Sequence, residues 1–142
     1  PLLARYPEAR FVLMHASYPY TDELVAIAKH YPNVWVDLCW AWSIDPYSTA
    51  DFFRRFLHAV PVNKLFGFGG DTIWPTAAVA YSIQARRGLR RALEAEIAAG
   101  DLTEQQAIAV ARRVMHDNQY ACFDIEGTRA AIQAQRATAD PE

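Results

Sequence analysis

Apolar positions along the chain follow two alternating rhythms. Three short runs occupy the first half: Phe11-Val12-Leu13-Met14, Val34-Trp35-Val36 and Leu65-Phe66-Gly67-Phe68. Each is too short for a helix, is rich in β-branched or aromatic residues and gives way to turn residues, as a buried parallel strand does. Between the runs, apolar residues recur at helical spacing. Thr21 or Asp22 is expected to cap a helix through about Tyr31, with Leu24, Ile27, Ala28 and Tyr31 on its inner face. After a second strand ending at Leu38, a loop rich in Trp and Pro leads to a helix capped by Ser48 or Thr49. Its Phe52, Phe53, Phe56 and Leu57 form a wide apolar stripe. Pro75 is well placed in the first turn of a helix reaching about Ala98, which Gly100-Asp101 breaks. Thr103 and Gln106 have capping-box spacing for a further helix that turns Ile108, Ala111, Val114 and Met115 inward. From Gly127 a polar, Ala-rich stretch reads as a terminal helix fading into a frayed tail at Ala139-Asp140-Pro141-Glu142.

Strand–helix alternation implies an α/β fold with a parallel sheet. Three strands alone would leave two apolar sheet edges open. A closed (β/α)8 barrel takes typically about 250 residues, and this chain has 142. The expected architecture is therefore the C-terminal part of a TIM-like (β/α)8 barrel, its last three βα units, over residues 1–125. Residues 126–142 would add the terminal helix and tail. Leu2 to Pro7 reads like the last turns of a helix. An opening Pro1 in place of Met is expected of a chain cut from something longer.

Each apolar run leads to a side chain that can hold a metal or move a proton: His15, Asp37 and Asp71. A parallel barrel gathers such strand-end residues at one mouth. His15 is a candidate ligand or base, with a satisfied core histidine as the plain alternative. Asp71 follows Gly67, Gly69 and Gly70, where the backbone can approach another group closely; its plain alternative is a helix N-cap. Asp37 is expected to be structural. Tyr18, Tyr20, Trp40, Trp42 and Trp74 would rim the mouth or pack beneath its loops. Arg86, Arg87, Arg90 and Arg91 read as a solvated helix face paired with Glu94 and Glu96. His30, His58 and His116 fall in helices and receive no role. Cys39 reads as a small buried hydrophobe.

Composition narrows the classes. A net charge of -2 gives no support for nucleic-acid binding. No stretch approaches the roughly 20 apolar residues of a membrane span. Cys39 and Cys122 form no disulfide framework, so a reduced, cytoplasmic setting is expected.

The segments Phe-Val-Leu-Met-His-Ala-Ser-Tyr-Pro-Tyr, Tyr-Pro-Asn-Val-Trp-Val-Asp-Leu and Lys-Leu-Phe-Gly-Phe-Gly-Gly-Asp-Thr together resemble the C-terminal half of amidohydrolase-related (family 2) metal-dependent hydrolases. Asp117-Asn118-Gln119-Tyr120 before Phe123-Asp124-Ile125 resembles that family's closing helix. The resemblance is nearest to members fused to a glutamine-synthetase-like domain. It implies that His15 is the strand-6 histidine and Asp71 the strand-8 aspartate, both metal-binding and catalytic, around a divalent metal, zinc first. It further implies hydrolysis of a C–N or C–O bond in a small-molecule substrate, completed by the missing N-terminal barrel strands, with homo-oligomerisation left open. A family-related decarboxylase and a non-catalytic scaffold or partner-binding domain are the alternatives. The strand-1 His-x-His and the strand-5 histidine have no counterpart here. A catalytic zinc needs three protein ligands, so two candidates imply weak zinc binding and no turnover by the isolated chain.

Overall fold

A computed structural model describes residues 2–139, with side chains described to residue 136. After a short helix α1 (Leu2–Arg5), three strands alternate with helices: β1 (Phe11–Leu13), α2 (Thr21–His30), β2 (Val34–Asp37), α3 (Ala41–Ile44), α4 (Pro46–Ala59) and β3 (Leu65–Phe66). The strands form one parallel sheet in the order β1-β2-β3, with Phe11 opposite Val34 and Val36 opposite Leu65. Long α5 (Pro75–Ala99), α6 (Glu104–Arg112), a π-helical turn (Arg113–Asp117), α7 (Asn118–Cys122) and α8 (Ile125–Ala139) follow. The observed fold is α/β, mostly helical, around a small parallel sheet. Among the described residues, no helix is long and apolar enough to cross a membrane.

The core lies where α4 and α5 pack, with Phe52, Phe53 and Phe56 fully buried. Trp42 joins it from α3 and packs against α5 at Gly88, the one residue type that leaves room for the indole. A Cβ at Gly88 would stand 2.3 Å from Trp42 Cε3. The Trp42 indole N–H donates to the Gly67 carbonyl at 2.9 Å, tying this core to the segment after β3. Trp42 is thus core, not mouth.

Several local expectations are corrected. Asp45 caps α4, accepting from the Tyr47 and Ser48 N–H groups at 3.0 Å each, because Pro46 starts the helix earlier than Ser48 or Thr49 could. Thr49 instead donates to the Ala41 and Asp45 carbonyls. The loop after Leu38 contains α3. Tyr20, without a side-chain cap, occupies the position expected of Thr21 or Asp22. At the far end of α2, buried Lys64 donates to the Ala28 and Tyr31 carbonyls at 2.6 Å each, and burial lowers its pKa. The Thr103–Gln106 capping box is present. Ile108, however, is 63% exposed, because the inward face is set by Ala107 in α6 and Val114 in the π-helical turn. Glu96 does not pair with the α5 arginines. It is buried and bound by Arg54 and His58 of α4, while Arg91 lies over the Tyr47 ring. α8 begins two residues before Gly127, and Asp140 to Glu142 of the expected tail lie outside the described residues.

Candidate functional site

The three strands end at one face, and their following residues converge there. His15 stands two residues beyond β1, Cys39 two beyond β2, and Asp71 closes the glycine-containing segment after β3. His15 Nε2 lies 3.5 Å from Asp71 Oδ2, with side chains 33% and 43% exposed. His15 Nδ1 is 2.8 Å from the Cys39 carbonyl. A carbonyl only accepts, so Nδ1 carries the proton and, in the neutral ring, Nε2 presents a lone pair toward the Asp71 carboxylate. Two electron-rich atoms facing one another at this separation call for a positive charge between them: an imidazolium proton or a cation. Ligand atoms on a tetrahedral zinc, each ~2.1 Å from it, stand about 3.4 Å apart. Donation of the second ring nitrogen to a backbone carbonyl is the arrangement found around metal-bound histidines. The donor set therefore fits a divalent metal.

Backbone conformation marks the same face. Among the described residues, the non-glycine residues with positive φ are His15, Ala16, Ser17, Trp40 and Asp71, at 60°, 50°, 50°, 60° and 38°. All five follow a strand, and left-handed conformations in non-glycine residues cost energy that surrounding structure must hold in place. Asp71 is not a helix cap: α5 starts at Pro75 with Trp74 before it, and the Trp74 N–H is taken by Thr72 Oγ1. That removes the plain alternative for Asp71.

Asp37, more deeply buried, interacts electrostatically with both members of the pair. Its Oδ1 accepts the Cys39 N–H at 2.7 Å, the structural bond expected of it. Burial raises its pKa, opposed by that hydrogen bond and by His15, and reinforced by Asp71. The Cys39 thiol, 3% exposed, is pushed up to about 12 by burial and by the nearby Asp37 and Asp71 carboxylates. Trp40 packs edge-on to the His15 ring with centroids 5.8 Å apart. Tyr18, Tyr20, Trp40 and Trp74 are each at least 43% exposed on these loops. His30 and His116 stay away from this face, and His58 meets Glu96 on the helical side. Two concavities also lie elsewhere: about 440 Å³ near His58 and Glu96, and about 640 Å³ between α5 and α6.

Cys39 is the member of this cluster that sequence reasoning passed over. Its thiol, an imidazole nitrogen of His15 and a carboxylate oxygen of Asp71 all lie within 4.8 Å of one another. Only its position two residues beyond Asp37, just after the strand between the other two, could have flagged it.

The sequence profile of the amidohydrolase family matches residues 1–124. This chain belongs to that family. It is also 31% identical over 128 residues to Protein fluG of Emericella nidulans, an alignment covering 87% of this chain and 14% of that protein. The chain thus spans about one-seventh of that relative's length. The amidohydrolase match spans all three strands, His15, Cys39 and Asp71, and ends one residue before α8.

Proposed function

We propose that the chain forms the C-terminal βα units of a TIM-like (β/α)8 barrel in a metal-dependent hydrolase, and that His15 and Asp71 hold its divalent metal, zinc first. The substrate is a small molecule with a C–N or C–O bond to be hydrolysed. Family membership supports the reaction class. The observation that carries the site is the His15–Asp71 pair at 3.5 Å, its imidazole already oriented by the Cys39 carbonyl.

When bound, the cation supplies positive charge that brings the acidity of water from a pKa of ~15.7 towards ~7. Asp71 orients the attacking water and takes its proton on a carboxylate oxygen. His15 keeps Nε2 aimed at the same point, because the Nδ1–H bond fixes the ring. Trp40, edge-on to that ring, limits its movement and shields one side from solvent. The open face of this segment leaves the remaining wall of the pocket to the other βα loops of the barrel.

Elemental analysis of the full-length protein tests the reading, together with hydrolysis of a p-nitrophenyl ester as probe. Asp71→Asn and His15→Ala should each lose metal and turnover with an unchanged circular dichroism spectrum. Wild-type metal content and near-normal turnover in Asp71→Asn would overturn it.

A further inference from the structure

We infer that Cys39 supplies a third protein ligand, through Sγ, to the cation that His15 and Asp71 hold. The inference rests on the metal reading above. It arises from how residue 39 is built into the site. The backbone around it is pinned on every side: the Leu38 N–H donates to the Phe66 carbonyl at 2.9 Å, the Cys39 N–H to Asp37, and the Trp40 N–H to the Gly69 carbonyl at 3.3 Å. The Cys39 carbonyl in turn holds the His15 ring. One residue therefore positions its neighbour's ligand with its main chain and points its own donor into the same space.

The thiol itself is buried and has no hydrogen-bond partner among the described residues. Gly69 makes the slot it occupies. A Cβ at position 69 would stand 2.8 Å from both Cβ and Sγ of Cys39, closer than such atoms pack, and 3.4 Å from Asp37 Oδ2. The three ligand atoms lie within 4.8 Å of one another. That is at most a little over an ångström beyond the spacing around a loaded zinc, a gap within reach of a side-chain rotation. Imidazole, thiolate and carboxylate are each ligand types of a protein-bound zinc. Two anionic ligands and a neutral imidazole balance a divalent charge. On binding, the S–H bond breaks, the sulfur–metal bond forms, and the thiol proton passes to the buffer.

Cobalt(II) substitution of the full-length protein tests this by spectroscopy. The wild type should show visible d–d absorption together with a near-ultraviolet sulfur-to-cobalt charge-transfer band. Cys39→Ser should lose the charge-transfer band, keep d–d absorption, bind cobalt about tenfold more weakly and release one proton fewer per ion in a weakly buffered titration. Cys39→Ala, which places no hydroxyl in the buried slot, should show the same losses should the serine variant fail to fold. A wild type with d–d bands but no charge-transfer band, or a Cys39 variant that retains it, overturns the third ligand and leaves the His15–Asp71 reading standing. A wild type that binds no cobalt overturns both.

Discussion

Gly88→Ala separates helix propensity from packing, because the two predict opposite signs. Gly88 lies inside α5, where Ala favours the helix by about 1 kcal/mol. The new methyl, however, would sit 2.3 and 2.5 Å from Cε3 and Cζ3 of Trp42, on a ring that is 2% exposed and has no free direction in which to swing. Overpacking of this kind costs about 1–3 kcal/mol. Displacing the indole also breaks its bond to the Gly67 carbonyl and leaves buried groups unpaired, a further loss of about 1–3 kcal/mol. The balance is a net destabilisation of about 3 kcal/mol. With a urea dependence of ~1–3 kcal/mol per molar, the unfolding midpoint followed by tryptophan fluorescence should fall by about 1–3 M. An unchanged or higher midpoint would refute the packing account and leave propensity in charge. Because Gly67 opens the segment leading to Asp71, the same variant should also weaken metal retention.

Three further outcomes follow from bonds on the helical side. Burial raises the pKa of Glu96, but hydrogen bonds and charges from Arg54 and His58 outweigh it, so the folded value lies below the ordinary 4.5. Its contribution is therefore present above pH 4.5 and lost as pH falls through the folded pKa. Glu96→Gln should cost about 1–3 kcal/mol at neutral pH, and urea midpoints should converge with wild type in acid; a gap that persists undiminished at low pH would count against the ion cluster. Asn118 gives both amide hydrogens to the Val62 and Leu65 carbonyls at 2.7 Å. Asn118→Leu should lose about 2–4 kcal/mol despite its similar volume, and a loss too small to resolve by denaturation would show that water replaces the amide. Thr103→Ala should lower stability by about 1 kcal/mol, while Thr103→Ser stays near wild type in the same thermal scan; equal losses would argue against the cap.

The strands, the breaks at Pro32 and Gly100 and the Thr103 capping box were legible because each rests on local physics: β-branched runs, positive φ and short-range hydrogen bonds. His15 and Asp71 were legible as strand-end residues, yet their approach to 3.5 Å depends on β2 standing between them, which no local signal reports. α3 was missed because a four-residue helix leaves too little periodicity to read. Asp45 was missed as a cap because two hydroxyl residues nearby compete for the role on paper. Trp42 was left open between rim and core, and Glu96 was misplaced, for one reason. Their burial is decided by Gly88 in one case and by cations on α4 in the other, both distant in sequence. Cys39 was invisible as a candidate ligand since an apolar run gives a thiol nothing to distinguish it from alanine. The family resemblance supplied what periodicity could not, namely which strands of a barrel these are expected to be.

The Cys39 carbonyl accepts from two directions, His15 Nδ1 at 2.8 Å and the Ala41 N–H at 2.7 Å. Both of its lone pairs are engaged, so the imidazole proton between ring and carbonyl has few routes for exchange with water. That proton should appear as a long-lived downfield resonance in proton NMR. It makes the site self-reporting: one line, needing no label and no substrate, would reveal whether the mouth of the sheet is assembled.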